Sequence, residues 1–79
     1  MARNATWQKL IHANPRILGG RPVIRGTRVP VQVLIGSMGA GMTISEVSKE
    51  YRVSQEAVRA ALAYAAEMLA QERVLEVSR

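Results

Sequence analysis

The chain has no cysteine, no aspartate and no phenylalanine, and its single histidine is His12. Without cysteine there is no disulfide framework, no thiolate metal site and no cysteine nucleophile. Paired-carboxylate, Cys–His and Ser–His–Asp schemes each lack members, which argues against an enzyme. His12 alone builds no metal site with glutamates scattered along helical segments. Long apolar runs are missing too. The first ten residues, MARNATWQKL, lack the hydrophobic segment of a signal peptide. The longest uncharged stretch, residues 29–45, is broken by Pro30, Gln32 and three glycines and is too polar to span a bilayer. The expectation is one cytoplasmic domain over residues 1–79, with no cofactor, metal, membrane segment or small-molecule ligand.

What is present is positive charge, unevenly placed. Residues 1–30 carry Arg3, Lys9, Arg16, Arg21, Arg25 and Arg28 and no acid, a net +6. Residues 31–79 carry five bases and six glutamates, a net −1, so the chain stands at +5. A basic arm on a near-neutral helical remainder suits a polyanionic partner, nucleic acid being the commonest. The bland alternative is a solvated basic surface.

The most informative stretch is residues 43–62, TISEVSKEYRVSQEAVRAAL. Thr43 and Glu46 have capping-box spacing, in which each side chain satisfies a backbone donor at a helix start. Ile44, Val47 and Tyr51 then form one helical stripe. Ser54 is a good N-cap for a second helix whose inward residues are expected to be Val58, Ala61 and Leu62. Ser48 is small enough for a helix crossing, and Val53 anchors the turn. Arg52 stands where glycine is common, so a positive φ there would carry strain. Together these features are the sequence form of a helix-turn-helix. In its DNA-binding version the second helix leads into the major groove with its N-terminal residues, here Gln55, Glu56 and Arg59. Glutamine suits adenine and arginine suits guanine, each through two parallel hydrogen bonds. A helical hairpin with solvated charges is the competing reading.

Upstream, residues 1–13 form either a short helix or an irregular strand, with Trp7 a core anchor rather than a base-stacking residue. Residues 16–30 predict a hairpin in which Ile17-Leu18 pairs with Val23-Ile24 around Gly19-Gly20. Gly26 allows a second reversal, and Pro30 opens the next helix. Arg21, Arg25 and Arg28 then project from a stiff arm. They either grip phosphates or brace the fold by capping helix ends, and both readings stay open. Val31, Leu34, Ile35 and Met38 mark a helix closed by Gly39-Ala40-Gly41, and Gly36 is expected to permit close helix packing. GSMGAGM is no phosphate loop, since its glycines end a helix and no Lys-Ser/Thr follows. The last helix should run from 55 to 72, with Val58, Leu62, Ala65 and Leu69 inward. At about 27 Å it outreaches a small core. Its excess, with Leu69, Val74, Leu75 and Val77, is expected to meet a second copy or a partner protein.

Several of these segments resemble the domain of unknown function 433 family. The matching residues are Asn14-Pro15, the block GRPVIRGTRVPV at residues 20–31, Gly41-Met42, Glu46, Tyr51, and VRAALAYA at residues 58–65. The resemblance implies a helix-turn-helix preceded by a β-hairpin. It further implies the antitoxin half of a toxin–antitoxin pair, with a PIN-like ribonuclease as the toxin. Family members usually carry Tyr-Pro and a longer turn where this chain has Tyr51-Arg52-Val53-Ser54, and the shorter turn is nearer to ordinary repressor spacing.

The expected architecture is therefore mainly α, a homeodomain-like or winged-helix-like helix-turn-helix bundle of three to four helices behind a short N-terminal β-hairpin. Residues 1–30 form the basic arm and hairpin, 31–73 the bundle and 74–79 a tail. The expected function is an antitoxin that binds double-stranded DNA as a homodimer, autoregulates its operon and neutralises a nuclease. Ser54, Gln55, Glu56, Arg59, Arg52, Arg21, Arg25 and Arg28 are the candidate DNA contacts. The alternative is a protein-interaction module that holds the nuclease without reading DNA.

Overall fold

The computed structural model describes residues 5–13, 16 and 18–77, with residues 5, 6, 18 and 72–77 as backbone alone. Asn14-Pro15 and Ile17 lie outside the described residues, as do the side chains of Val74, Leu75 and Val77. In chain order the elements are α1 (Ala5–Leu10), β1 (Ile11–Ala13), a 3₁₀ turn (Leu18–Gly20), β2 (Pro22–Ile24), α2 (Val31–Gly39), α3 (Ile44–Tyr51) and α4 (Gln55–Val77). The molecule is mainly helical with an N-terminal two-stranded antiparallel hairpin, as the sequence leads one to expect. None of the described helices is long and apolar enough to cross a membrane.

The hairpin differs from expectation in its first strand. β1 pairs Ile11 with Ile24, His12 with Val23 and Ala13 with Pro22, while Leu18 falls in the 3₁₀ turn. This register buries Ile11 directly opposite Ile24, at 5% and 4% exposure. A two-residue strand at 17–18 would have left Ile11 without that partner. Within residues 5–13 helix and strand both occur, in succession, since α1 runs straight into β1; residues 1–4 lie outside the described residues. The second reversal stands as expected. Gly26 has φ 83, the Thr27 amide and hydroxyl both donate to the Ile24 carbonyl, and Val23 bridges to Pro30. Pro30 serves as the N-cap of α2, one position before the helix.

α2 ends in a Schellman arrangement. The Met42 amide donates to the Ser37 carbonyl (3.2 Å) and the Gly41 amide to the Met38 carbonyl (3.0 Å), with Gly41 at φ 113. The Ser37 and Tyr51 hydroxyls lie 2.9 Å apart and tie α2 to α3. A Cβ placed on Gly36 would meet nothing within 4 Å, so that glycine does not serve close packing.

The core gathers Ile11, Ile24, Val31, Leu34, Val47, Val53, Ala57, Val58, Ala60 and Ala61. Leu34, Val47 and Val58 are fully enclosed, and burying each contributes about 1.5–3 kcal/mol. Val58 and Ala61 face inward as predicted, but Leu62 and Leu69 do not, at 39% and 66% exposure. The contact face of α4 is its alanine stripe, since small side chains let the helix approach its neighbours closely. Trp7 packs against the core and fixes α1 to α4. Its Nε1 donates to Glu67 Oε1 at 2.7 Å, and its ring meets Tyr64 edge to face at 4.9 Å.

Candidate nucleic-acid interface

The turn that presents the second helix is held at both ends by hydrogen bonds the sequence largely specifies. At the start of α3 the capping box is complete, the Thr43 amide donating to Glu46 Oε1 (2.8 Å) and the Glu46 amide to Thr43 Oγ1 (3.1 Å). At its end Arg52 adopts the left-handed region, φ 58 and ψ 45. The Val53 amide donates to the Ser48 carbonyl, and the Ser48 hydroxyl donates to the Val53 carbonyl. Ser48 thus pins both polar groups of the turn's buried valine, beyond the small size the sequence reading gave it. Ser54 Oγ accepts from the Ala57 amide at 3.0 Å, starting α4 where expected.

These caps fix the turn and the start of α4, where Arg52, Ser54, Gln55, Glu56 and Arg59 are each exposed. Gln55 and Arg59 are four apart and Glu56 and Arg59 three apart, so all three side chains share a helix face. None of the three carries a hydrogen bond or ion pair within the described residues. The face is polar, fully presented and uncommitted. It can offer two paired donors and one acceptor to a base edge, with the Ser54 hydroxyl and the Arg52 guanidinium flanking it.

The hairpin arginines are not a set. Arg25 folds back on the end of α1. Its Nε donates to the Lys9 carbonyl at 2.9 Å and its Nη2 to those of Gln8 (3.5 Å) and Ile11 (3.3 Å). A cation there satisfies carbonyls that the last turn of a helix leaves unpaired. For Arg25 the brace is realised. Arg28 is exposed in the reversal after β2, with no partner among the described residues. Arg21 stands on the rim of a groove of about 560 Å³ between β2, α2 and α4. Pro22, Ile35, Tyr64, Met68 and Leu69 line that groove, which the sequence reading missed. The signal was there in Leu69 and Met68, apolar residues beyond the last position that a core this size can cover. His12 is half-buried on β1, and no group of three or more metal-ligating side chains occurs among the described residues.

A family model described as protein of unknown function (DUF433) matches residues 11–65. Uncharacterized protein y4eO of Sinorhizobium fredii is 37% identical over 62 residues, spanning 77% of this chain and 28% of its own length. The crystal structure of Rv2018 from Mycobacterium tuberculosis aligns with a TM-score of 0.64 at 31% identity, over 72% of this chain and 27% of that one. The crystal structure of a DUF433 member protein from Anabaena variabilis aligns with a TM-score of 0.70 at 28% identity, over 95% of this chain and 74% of that one. This chain thus spans little more than a quarter of two of these relatives.

Proposed function

The chain belongs to the DUF433 family, and from that premise we propose that it is the DNA-binding antitoxin of a type II toxin–antitoxin pair. In this reading it acts in the cytoplasm as a dimer, represses its own operon and neutralises a PIN-like ribonuclease. The observation that carries the DNA half is the uncommitted polar face of α4, with Gln55, Glu56 and Arg59 exposed behind a rigidly capped turn. Arg59 takes a guanine O6/N7 edge and Gln55 an adenine edge. Ser54, Arg52 and Arg28 hold phosphates and set the register. Two copies read half-sites one helical turn, about 34 Å, apart. The nuclease half rests on the family resemblance, with the hairpin arm and the end of α4 as the surfaces left over for it.

The test is binding of a labelled duplex from upstream of the gene against a scrambled duplex, from about 50 to 200 mM salt. The native duplex should be preferred at every salt concentration. Arg59→Ala should lower affinity for it by about 1–3 kcal/mol and erase the preference. Equal binding to both duplexes that vanishes with salt would reduce the DNA reading to a basic surface. One observation favours a protein-interaction module instead, the apolar groove beside Tyr64 and Leu69. That reading would lead if the neighbouring gene's nuclease were captured by a protein that shows no duplex preference.

A further inference from the structure

The groove lies between β2, α2 and the middle of α4, far along that helix from Gln55. Its lining is apolar apart from Gln32 and Arg21, and it contains no acid. Among the described side chains of α4 the last fully buried one is Ala61, yet the helix continues unbroken to Val77. Tyr64 and Glu67 still meet Trp7 of α1, so it is residues 68–77 that extend past that contact, by about 15 Å. The sequence of residues 72–77 is ERVLEV, three aliphatics with two acids to one base. An apolar, acidic helical segment is what a groove with an arginine on its rim would take. A continuous helix cannot turn back into the groove beside its own Tyr64, so only another molecule can bring such a segment there.

We propose that a second copy of this chain fills the groove, the two α4 helices crossing antiparallel near Met68 so that each distal segment lies beside the other copy's Arg21. An antiparallel crossing at Met68 sets residue 72 of one copy level with Tyr64 of the other, on the wall of the groove. The same crossing fixes a second distance. From Ala57, midway between Gln55 and Arg59, to Met68 the helix rises about 16 Å, so the two reading faces stand about 33 Å apart. That matches one turn of B-DNA, the half-site separation of a two-fold reader. The spacing argument rests on the DNA reading above; the groove and charge arguments do not.

The chain's lack of cysteine makes the test direct. In the 79-residue chain, Met68→Cys puts two thiols at the two-fold axis and should give a disulfide-linked dimer under mild oxidant. Leu62→Cys, whose copies would stand about 18 Å apart, should not crosslink. Met68→Glu should raise the dimer dissociation constant at least tenfold in sedimentation, with unchanged helicity by circular dichroism. Its affinity for a palindromic operator should fall at least tenfold, and that for a single half-site should stay the same. Sedimentation as a monomer at every concentration, or crosslinking at position 62 and not at 68, would overturn the proposal. So would a Met68→Glu protein that stays dimeric but no longer captures the neighbouring gene's nuclease, which would assign the groove to the nuclease. A crosslinked dimer that prefers no duplex leaves the groove assignment standing and removes the DNA reading. A monomer that reads its operator does the reverse.

Discussion

Arg52 closes α3 with φ 58, the one positive φ on a non-glycine residue among the described residues. A Cβ in that region costs about 1 kcal/mol, which glycine would avoid while giving back part of the gain through a freer unfolded chain. Arg52→Gly should therefore stabilise the fold by about 0.5 kcal/mol, seen as a melting temperature a few degrees higher. The same variant should weaken duplex binding and reduce the salt slope by about one. Gain in one measurement and loss in the other would mean that the strain is kept for the guanidinium's position. At this scale the sequence was most transparent where a side chain bonds its own neighbourhood. Thr43, Glu46, Ser54 and the strain at Arg52 were readable because their partners lie within a few residues. Arg25 was not decided, since its carbonyl partners are 14 to 17 residues away.

Among the elements, α1 is the one that depends on a loan from elsewhere. It has six residues, too few to be stable alone, and is held by Arg25 at its end and by Trp7 on α4. Arg25→Ala should lower stability by about 1 kcal/mol in urea unfolding, allowing for the exposure of the arginine. Arg28→Ala, three residues on and with no partner among the described residues, should stay within about 0.5 kcal/mol of the parent. Helices α2, α3 and the start of α4 were legible from periodicity and caps. The hairpin was legible as a hairpin, but its first strand was not, since a three-residue strand carries almost no alternation to read. α4 shows the limit of stripe counting. The helical period places Val58, Leu62, Ala65 and Leu69 on one stripe, yet the buried face is set by what α4 lies against, and Ala57, Ala60 and Ala61 won it over the leucines.

For the molecule as a whole, 79 residues give a thin stability margin, and a groove filled by a second copy would add to it. Stability would then depend on concentration through mass action. The melting temperature should rise by up to about 4 °C per tenfold increase in protein, and Met68→Glu should flatten that dependence. A wild-type melting temperature independent of concentration would count against the dimer. This scale was the least legible in the sequence. Net charge and an overlong last helix pointed outward, to partners, but the groove joins residues 21, 35 and 68 and forms only once the hairpin, α2 and α4 have met.

The Trp7 contact has an optical consequence. It is the chain's single tryptophan, and its neighbours are the Glu67 carboxylate and Tyr64, a residue that also walls the groove. Its emission therefore reports from the junction of α1, the bundle and the docking groove without any label. Detachment of α1 should shift that emission to the red as the indole meets water, and a copy seated against Tyr64 should alter its quenching. The two events can be told apart by adding denaturant in one case and only more protein in the other.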